Sequence, residues 1–300
     1  MERRIILIWN NQLNEVPYEN IIGKKQEIRC QHAARKERML FMEMHEFGDR
    51  QSPVILLLHA FGMHWSMWQG VIDGLKDDYY ILVPSLEGHE DKGRTVFTTV
   101  EHNAQSISDW LCENGYREIH AVIGVSLGGS LTIKLLSLKT VPISYAVIDA
   151  GIAPVGFNRV QEFLEVGSNL LMILAAHSLS LIRLAGLYDA YSQKQMEKFH
   201  TMIKTISWKT AKNSFYGVDT YTLPDSLPDV STRIAYWYGS LEEKERKATA
   251  ERVKRLFPNV TVCRFDGYRH AQMCLAKPEF YVSEIRKAIR GQTSDSSRPE

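Results

Sequence analysis

Cysteine is scarce in this 300-residue chain: four residues, at 30, 112, 263 and 274, with no C-x-x-C pair among them. Cysteines this sparse argue against a disulfide scaffold, and they fit an intracellular protein with reduced thiols. An excess of one charge is lacking too, since 36 basic and 35 acidic residues leave a formal charge of +1. Without a basic footprint, no nucleic-acid partner is expected. Long apolar runs are missing. The first, residues 5–8, falls short of the roughly 7–15 residues of a secretion signal. The most apolar long stretch, residues 167–182, is interrupted by Ser168, Asn169, His177, Ser178 and Ser180. A spanning helix needs about 20 predominantly apolar residues, so no membrane span is expected and the location expected is cytoplasmic. Asn259-Val260-Thr261 fits a glycosylation sequon, but nothing else suggests secretion.

Nucleotide and metal signatures are also missing. There is no G-x-x-x-x-G-K-[ST], G-x-G-x-x-G or H-E-x-x-H. His59 and His64 stand five apart across a glycine turn without a partner carboxylate. The expectation is therefore no metal and no cofactor.

What is present is an ordinary globular composition, 44% hydrophobic and 24% charged. The length admits about two domains, or one large α/β unit. Continuous apolar runs at 54–59 (VILLLH), 80–84 (YILVP) and 119–125 (IHAVIGV) read as strands buried on both faces. Further strands are expected at 145–148, 234–238 and 260–265, and looser alternation at 39–45 suggests an antiparallel neighbour near the sheet edge. Helical patterns fall between them, at 99–114, 127–139, 242–257 and 278–290. Strands alternating with helices imply a mostly parallel sheet covered on both faces, an α/β fold. Between 150 and 230 the rhythm breaks into helical segments at 159–187 and 191–213, which a compact domain accommodates as an inserted subdomain. The organisation expected is an extension of unclear structure at 1–38, a core of 39–150 plus 231–290, a helical insertion at 151–230 and a mobile tail at 291–300.

The strongest chemical signal is Gly124-Val125-Ser126-Leu127-Gly128, placed after an apolar strand and before a helix. A sharp strand-to-helix turn exposes the serine hydroxyl, and small residues at 124 and 128 let neighbouring chain approach it. The helix from Leu127 also aims free N–H groups and its positive dipole end at that point. A serine needs a base, and His270 in Asp266-Gly267-Tyr268-Arg269-His270 follows the last strand. A loop at the carboxyl edge of a parallel sheet is where such folds meet ligands. His32, His45, His102, His120 and His200 have no such placement. The orienting acid belongs between the two, and Glu242, with Glu243 second, follows the strand at 234–238; Asp149 is a third candidate, with a structural role favoured.

These residues make the chain resemble the α/β-hydrolase superfamily over about residues 39–290. His59-Ala60-Phe61-Gly62 is similar to its oxyanion loop, Pro84-Ser85-Leu86-Glu87-Gly88-His89 to its PDxxGHG segment, and DGYRH to its terminal histidine loop. The resemblance implies oxyanion donors in the backbone N–H groups of Phe61 and Leu127, and a helical cap at 151–230. Leu164, Val166, Leu170, Leu171, Ile173 and Leu174 would then offer an apolar face to the site, with His64, Trp65 and His177 as further pocket candidates and core packing open for Trp65 and Trp68. Departures are Ala60 for glycine, Ser85 for aspartate, Glu90 for glycine and a glutamate as the acid. Serine at the elbow disfavours dehalogenase- and epoxide-hydrolase-like chemistry, and the lack of HGGG disfavours the hormone-sensitive-lipase-like branch. The function expected is a serine hydrolase of esters or thioesters with a small-to-medium apolar acyl group, taking a small-molecule substrate. C–C bond hydrolysis or cofactor-free lyase chemistry on the same residues, and a ligand-binding sensor, are the competing readings.

Overall fold

The computed structural model describes residues 4–9, 12–17, 42–90, 95–156, 167 and 193–291. Two units are distinguished, Met1–Phe41 and Met42–Glu300. In the first, β1 (Arg4–Trp9) and β2 (Gln12–Pro17) form an antiparallel hairpin, with Arg4 opposite Pro17 and Trp9 opposite Gln12. These residues fall in the extension of unclear structure expected at 1–38, for which no strand was expected.

The second unit holds a seven-stranded sheet of β3 (Met44–Phe47), β4 (Val54–Leu58), β5 (Tyr80–Pro84), β6 (Ile119–Val125), β7 (Ile143–Asp149), β8 (Arg233–Gly239) and β9 (Thr261–Phe265). Its order is β3-β5-β4-β6-β7-β8-β9. Every pairing is parallel except β3 with β5, at the edge. The antiparallel neighbour thus exists, but later in sequence than 39–45. Its register is set by Met44 opposite Pro84 and Phe47 opposite Ile81, and the Ser85 N–H donates to the Glu43 carbonyl (2.8 Å).

The unbroken apolar run of β4 follows from two covered faces. Leu56 and Leu58 point into one core cluster, Ile55 and Leu57 into the other, and all four are fully buried. Each such side chain contributes about 1.5–3 kcal/mol of burial. The first cluster is closed by α2 (Val100–Glu113), α3 (Leu127–Leu138) and α6 (Glu243–Leu256). The second is closed by α1 (Gln69–Leu75) and α8 (Pro278–Ile289). Helix boundaries follow their caps. Thr99 Oγ1 accepts the His102 N–H (3.0 Å) at the start of α2, Gly115 at φ 82° follows its end, and Pro278 opens α8.

Between β7 and β8 the described helices are α4 (Gln193–Ile203) and α5 (Trp208–Thr220). The single helix expected over 191–213 is therefore two. The break is at Ser207, whose hydroxyl accepts the Thr210 N–H (3.1 Å) and so caps α5. Apart from Gly167, the helix expected at 159–187 with its leucine face from Leu164 to Leu174, and the tail beyond 291, lie outside the described residues. A short α7 (Gln272–Ala276) precedes α8.

Glycines at the centre of the sheet are set by crowding. A Cβ on Gly128 would lie 2.0 Å from the Leu58 carbonyl oxygen, whereas one on Gly217, inside α5, would meet nothing closer than 3.7 Å. Gly128→Ala is therefore expected to lower stability by about 3 kcal/mol or more, or to prevent folding. Gly217→Ala should raise stability by roughly 0.5–1 kcal/mol through helix propensity. Urea unfolding of both variants checks the contrast.

Candidate active site

The connection from β6 to α3 is the single residue Ser126, at φ 55° and ψ −115°. A side chain in such backbone costs on the order of 1–3 kcal/mol and persists only when its surroundings impose it. Here they do. The Ser126 N–H donates to the Asp149 carbonyl of β7 (2.8 Å), and its own carbonyl accepts the first helical bond from Ser130 (3.0 Å). A Cβ on Gly124 would lie 2.2 Å from the Gly128 carbonyl, and one on Gly129 2.6 Å from Gly151 Cα. Helix and strands are thus pressed backbone to backbone around the serine. Leu127, the first residue of α3, has an N–H with no intrahelical acceptor and stands at the positive end of the dipole.

The loop after β4 lies beside this elbow, since Gly128 abuts the carbonyls of Leu58 and His59. The Leu86 N–H donates to His59 Nε2 (3.2 Å), which leaves Nδ1 to donate to the Ala60 carbonyl (3.0 Å). Burial holds His59 well below the usual histidine range and lowers His89 to about 4, so both rings are neutral at pH 7. Left-handed backbone falls at Gly62 (φ 71°) and not at position 60, which is how alanine is accommodated there. Phe61 is half-buried between the rings of His89 (5.4 Å) and Phe215 (4.7 Å).

Of the two glutamates after β8, only one faces the histidine. Glu242 Oε2 lies 2.7 Å from His270 Nδ1, and Glu242 is buried. Glu243 is exposed and accepts from Arg264 Nε (2.8 Å). Glu242 Oε1 accepts the Gly239 N–H (3.3 Å), and Arg246 Nε donates to Oε2 (3.1 Å). Burial alone would raise the Glu242 pKa. The His270 bond, Arg246 and the Gly239 N–H outweigh it and hold the carboxyl below its ordinary range. Gly239 is required here, because a Cβ would lie 2.1 Å from the Tyr268 carbonyl in the loop that carries His270.

Asp149 behaves oppositely. It is buried, its Oδ2 has no hydrogen-bond partner among the described residues, and it faces Glu242 and Tyr281. Burial first, and then the Glu242 charge, push its pKa up to about 8. Two carboxyls side by side thus divide into one ionised and one protonated.

The remaining candidates separate. His64 lies against α4 and the turn after it, its N–H on Met202 Sδ (3.4 Å) and its Nε2 3.4 Å from Thr205 Oγ1. Trp65 stacks instead on His45 (4.5 Å), near Phe47 of the edge strand, which is packing. Trp68 is fully buried, and His177 lies outside the described residues. Phe199, Met202 and Ile203 of α4 were not singled out, because an apolar stripe carries no position-specific signal; Ile203 Cδ1 would lie 2.6 Å from a Cβ on Gly62. Arg246 was missed as well, although its spacing of four from Glu242 is the helical pairing interval. Among the described residues no His/Cys/Asp/Glu group could hold a metal, and no helix is long and apolar enough to cross a membrane.

Comparison with known proteins agrees with this architecture. Residues 55–284 match the model of the alpha/beta hydrolase family, and the chain belongs to that family. A hydrolase from Pseudomonas aeruginosa PA01 superposes with a TM-score of 0.65 at 16% identity, covering 83% of this chain and 94% of that one. A thermophilic esterase from Thermogutta terrifontis gives 0.64 at 16% identity over 96% and 98% of the two chains. At such identities the likeness is one of fold. The 30 kDa subunit of magnesium chelatase from Rhodobacter capsulatus is 32% identical over 96 residues, which span 32% of this chain and 34% of that protein.

The protonation of Asp149 has a stability consequence. Unfolded, the group releases its proton near its ordinary 3.8; folded, it holds it up to about pH 8. The folded state therefore binds more protons between those values, and this contribution to stability falls as pH rises through the window. Asp149→Asn removes that loss. Its melting temperature relative to wild type should increase by roughly 5 °C between pH 5 and pH 8. A difference that stays flat across that range means Asp149 is ionised.

Proposed function

We propose that the chain is a serine hydrolase of carboxylic esters or thioesters carrying a small-to-medium apolar acyl group. The observation that carries this reading is the 2.7 Å contact between Glu242 and His270, two residues from separate loops at the sheet edge where Ser126 forms its strained turn. In this reading Ser126 attacks the substrate carbonyl while His270 takes its proton, and Glu242 fixes the imidazole tautomer with Nε2 toward the serine. The N–H groups of Phe61 and Leu127 receive the oxyanion, and each such donor contributes on the order of 3–4 kcal/mol. Water then releases the acyl group through the same histidine. Residues 151–230 serve as a helical cap inserted in a core of 39–150 and 231–290. The apolar acyl preference rests on Phe61, Phe199, Met202, Ile203 and Phe215, which gather where α4 and α5 meet the oxyanion loop.

A fluorophosphonate probe should label the wild-type protein at Ser126 and leave Ser126→Ala unlabelled. Glu242→Gln should lower turnover of p-nitrophenyl esters by about 10²–10⁴-fold, with Glu243→Gln within about twofold of wild type. Labelling that survives Ser126→Ala contradicts the mechanism. Labelling of Ser126 without turnover of any ester in a chain-length series points to C–C cleavage or lyase chemistry on the same residues.

A further inference from the structure

Glu242 Oε2 accepts two hydrogen bonds, from His270 Nδ1 at 2.7 Å and from Arg246 Nε at 3.1 Å. The second arm of Arg246 reaches the Ala150 carbonyl (3.4 Å). The Arg246 and Glu242 side chains are only 16% and 8% exposed. Ions taken this far out of water keep their place only when geometry pairs them. Ala150 directly follows β7. Its N–H donates to the Trp237 carbonyl of β8 (2.8 Å), and the carbonyl just before it holds the Ser126 N–H. One guanidinium therefore joins the turn that carries the acid to the strand end that supports the serine.

We propose that Arg246 is a positioning residue of this site, holding the Glu242 carboxylate against His270 and tying it to the end of β7. The inference rests on the serine-hydrolase reading above. It also has an electrostatic side. A carboxylate stabilises an adjacent imidazolium, and a cation on the same oxygen offsets part of that field. The titratable groups facing Glu242 and Arg246 are Asp149 from β7 and Tyr236 from β8, with Cys274 from α7 and Tyr281 from α8 behind Asp149. Burial keeps the tyrosines and the thiol neutral, and Asp149 holds its proton up to about 8. Below that pH, Glu242 and Arg246 are the ion pair behind His270.

The test is the rate of Ser126 labelling by a fluorophosphonate from pH 5 to 9, measured with thermal unfolding for wild type, Arg246→Met and Arg246→Lys. Arg246→Met is expected to move the acid limb upward by about half to one pH unit and to lower the plateau rate about tenfold. Arg246→Lys keeps the cation, so its acid limb should stay at the wild-type position while part of the rate is lost. Arg246→Gln carries the same pH test if the methionine variant does not fold. Variants with the wild-type limb and plateau but a lower melting temperature overturn the inference and leave Arg246 a structural residue. A wild-type protein that is not labelled at Ser126 overturns the hydrolase reading, and the inference with it.

Discussion

The start of α3 is packed so tightly against β4 that no side-chain carbon fits between Gly128 and the Leu58 carbonyl. Much of the site depends on this contact. It forces the chain to turn in one residue, which puts Ser126 into its left-handed backbone. It also brings the His59–Gly62 loop alongside the same helix end. The strain at one residue is offset by close packing and by hydrogen bonds from β7, so the serine is held in place before any ligand arrives.

The opposite half of the site is built from longer-range pieces. Glu242 and His270 leave neighbouring strands, β8 and β9, and their loops are locked where Gly239 meets the Tyr268 carbonyl. Around them the titratable groups are sorted by burial and pairing. Glu242 is paired and ionised, while Asp149, unpaired at its second oxygen, keeps its proton. Burial keeps His59 and His89 neutral. A sheet edge with a single ionised carboxylate facing the histidine results from this sorting.

Much of this was legible in the sequence, for physical reasons. Residues 54–58 form a strand buried on both faces because every position must be apolar, and an unbroken run reports that directly. The G-x-S-x-G spacing reports backbone crowding, which tolerates only glycine. Sequence ranks Glu242 ahead of Glu243, but which of them faces His270 depends on one rotation of the chain at a strand end, and that rotation leaves no mark in the residue types. The capping role of Ser207 was hidden inside a continuous helical pattern. Trp65 shows the converse: its place after the His59–Gly62 loop suggests a pocket or core packing, and the chain turns it onto His45 of the edge strand. The alanine at position 60 looked like a departure in a loop that needs glycine. The structure puts that need two residues later, at Gly62.

Gly62 also sets a limit on how this fold can change. Ile203 of α4 sits where a side chain on Gly62 would be, so α4 and the His59–Gly62 loop share one packing boundary. A bulkier residue at position 203 would displace the His59–Gly62 loop. A smaller one would leave that loop unsupported. Variation between β7 and β8 is therefore least costly at positions that do not rest on Gly62, and the residues directly against the loop are the ones least free to diverge.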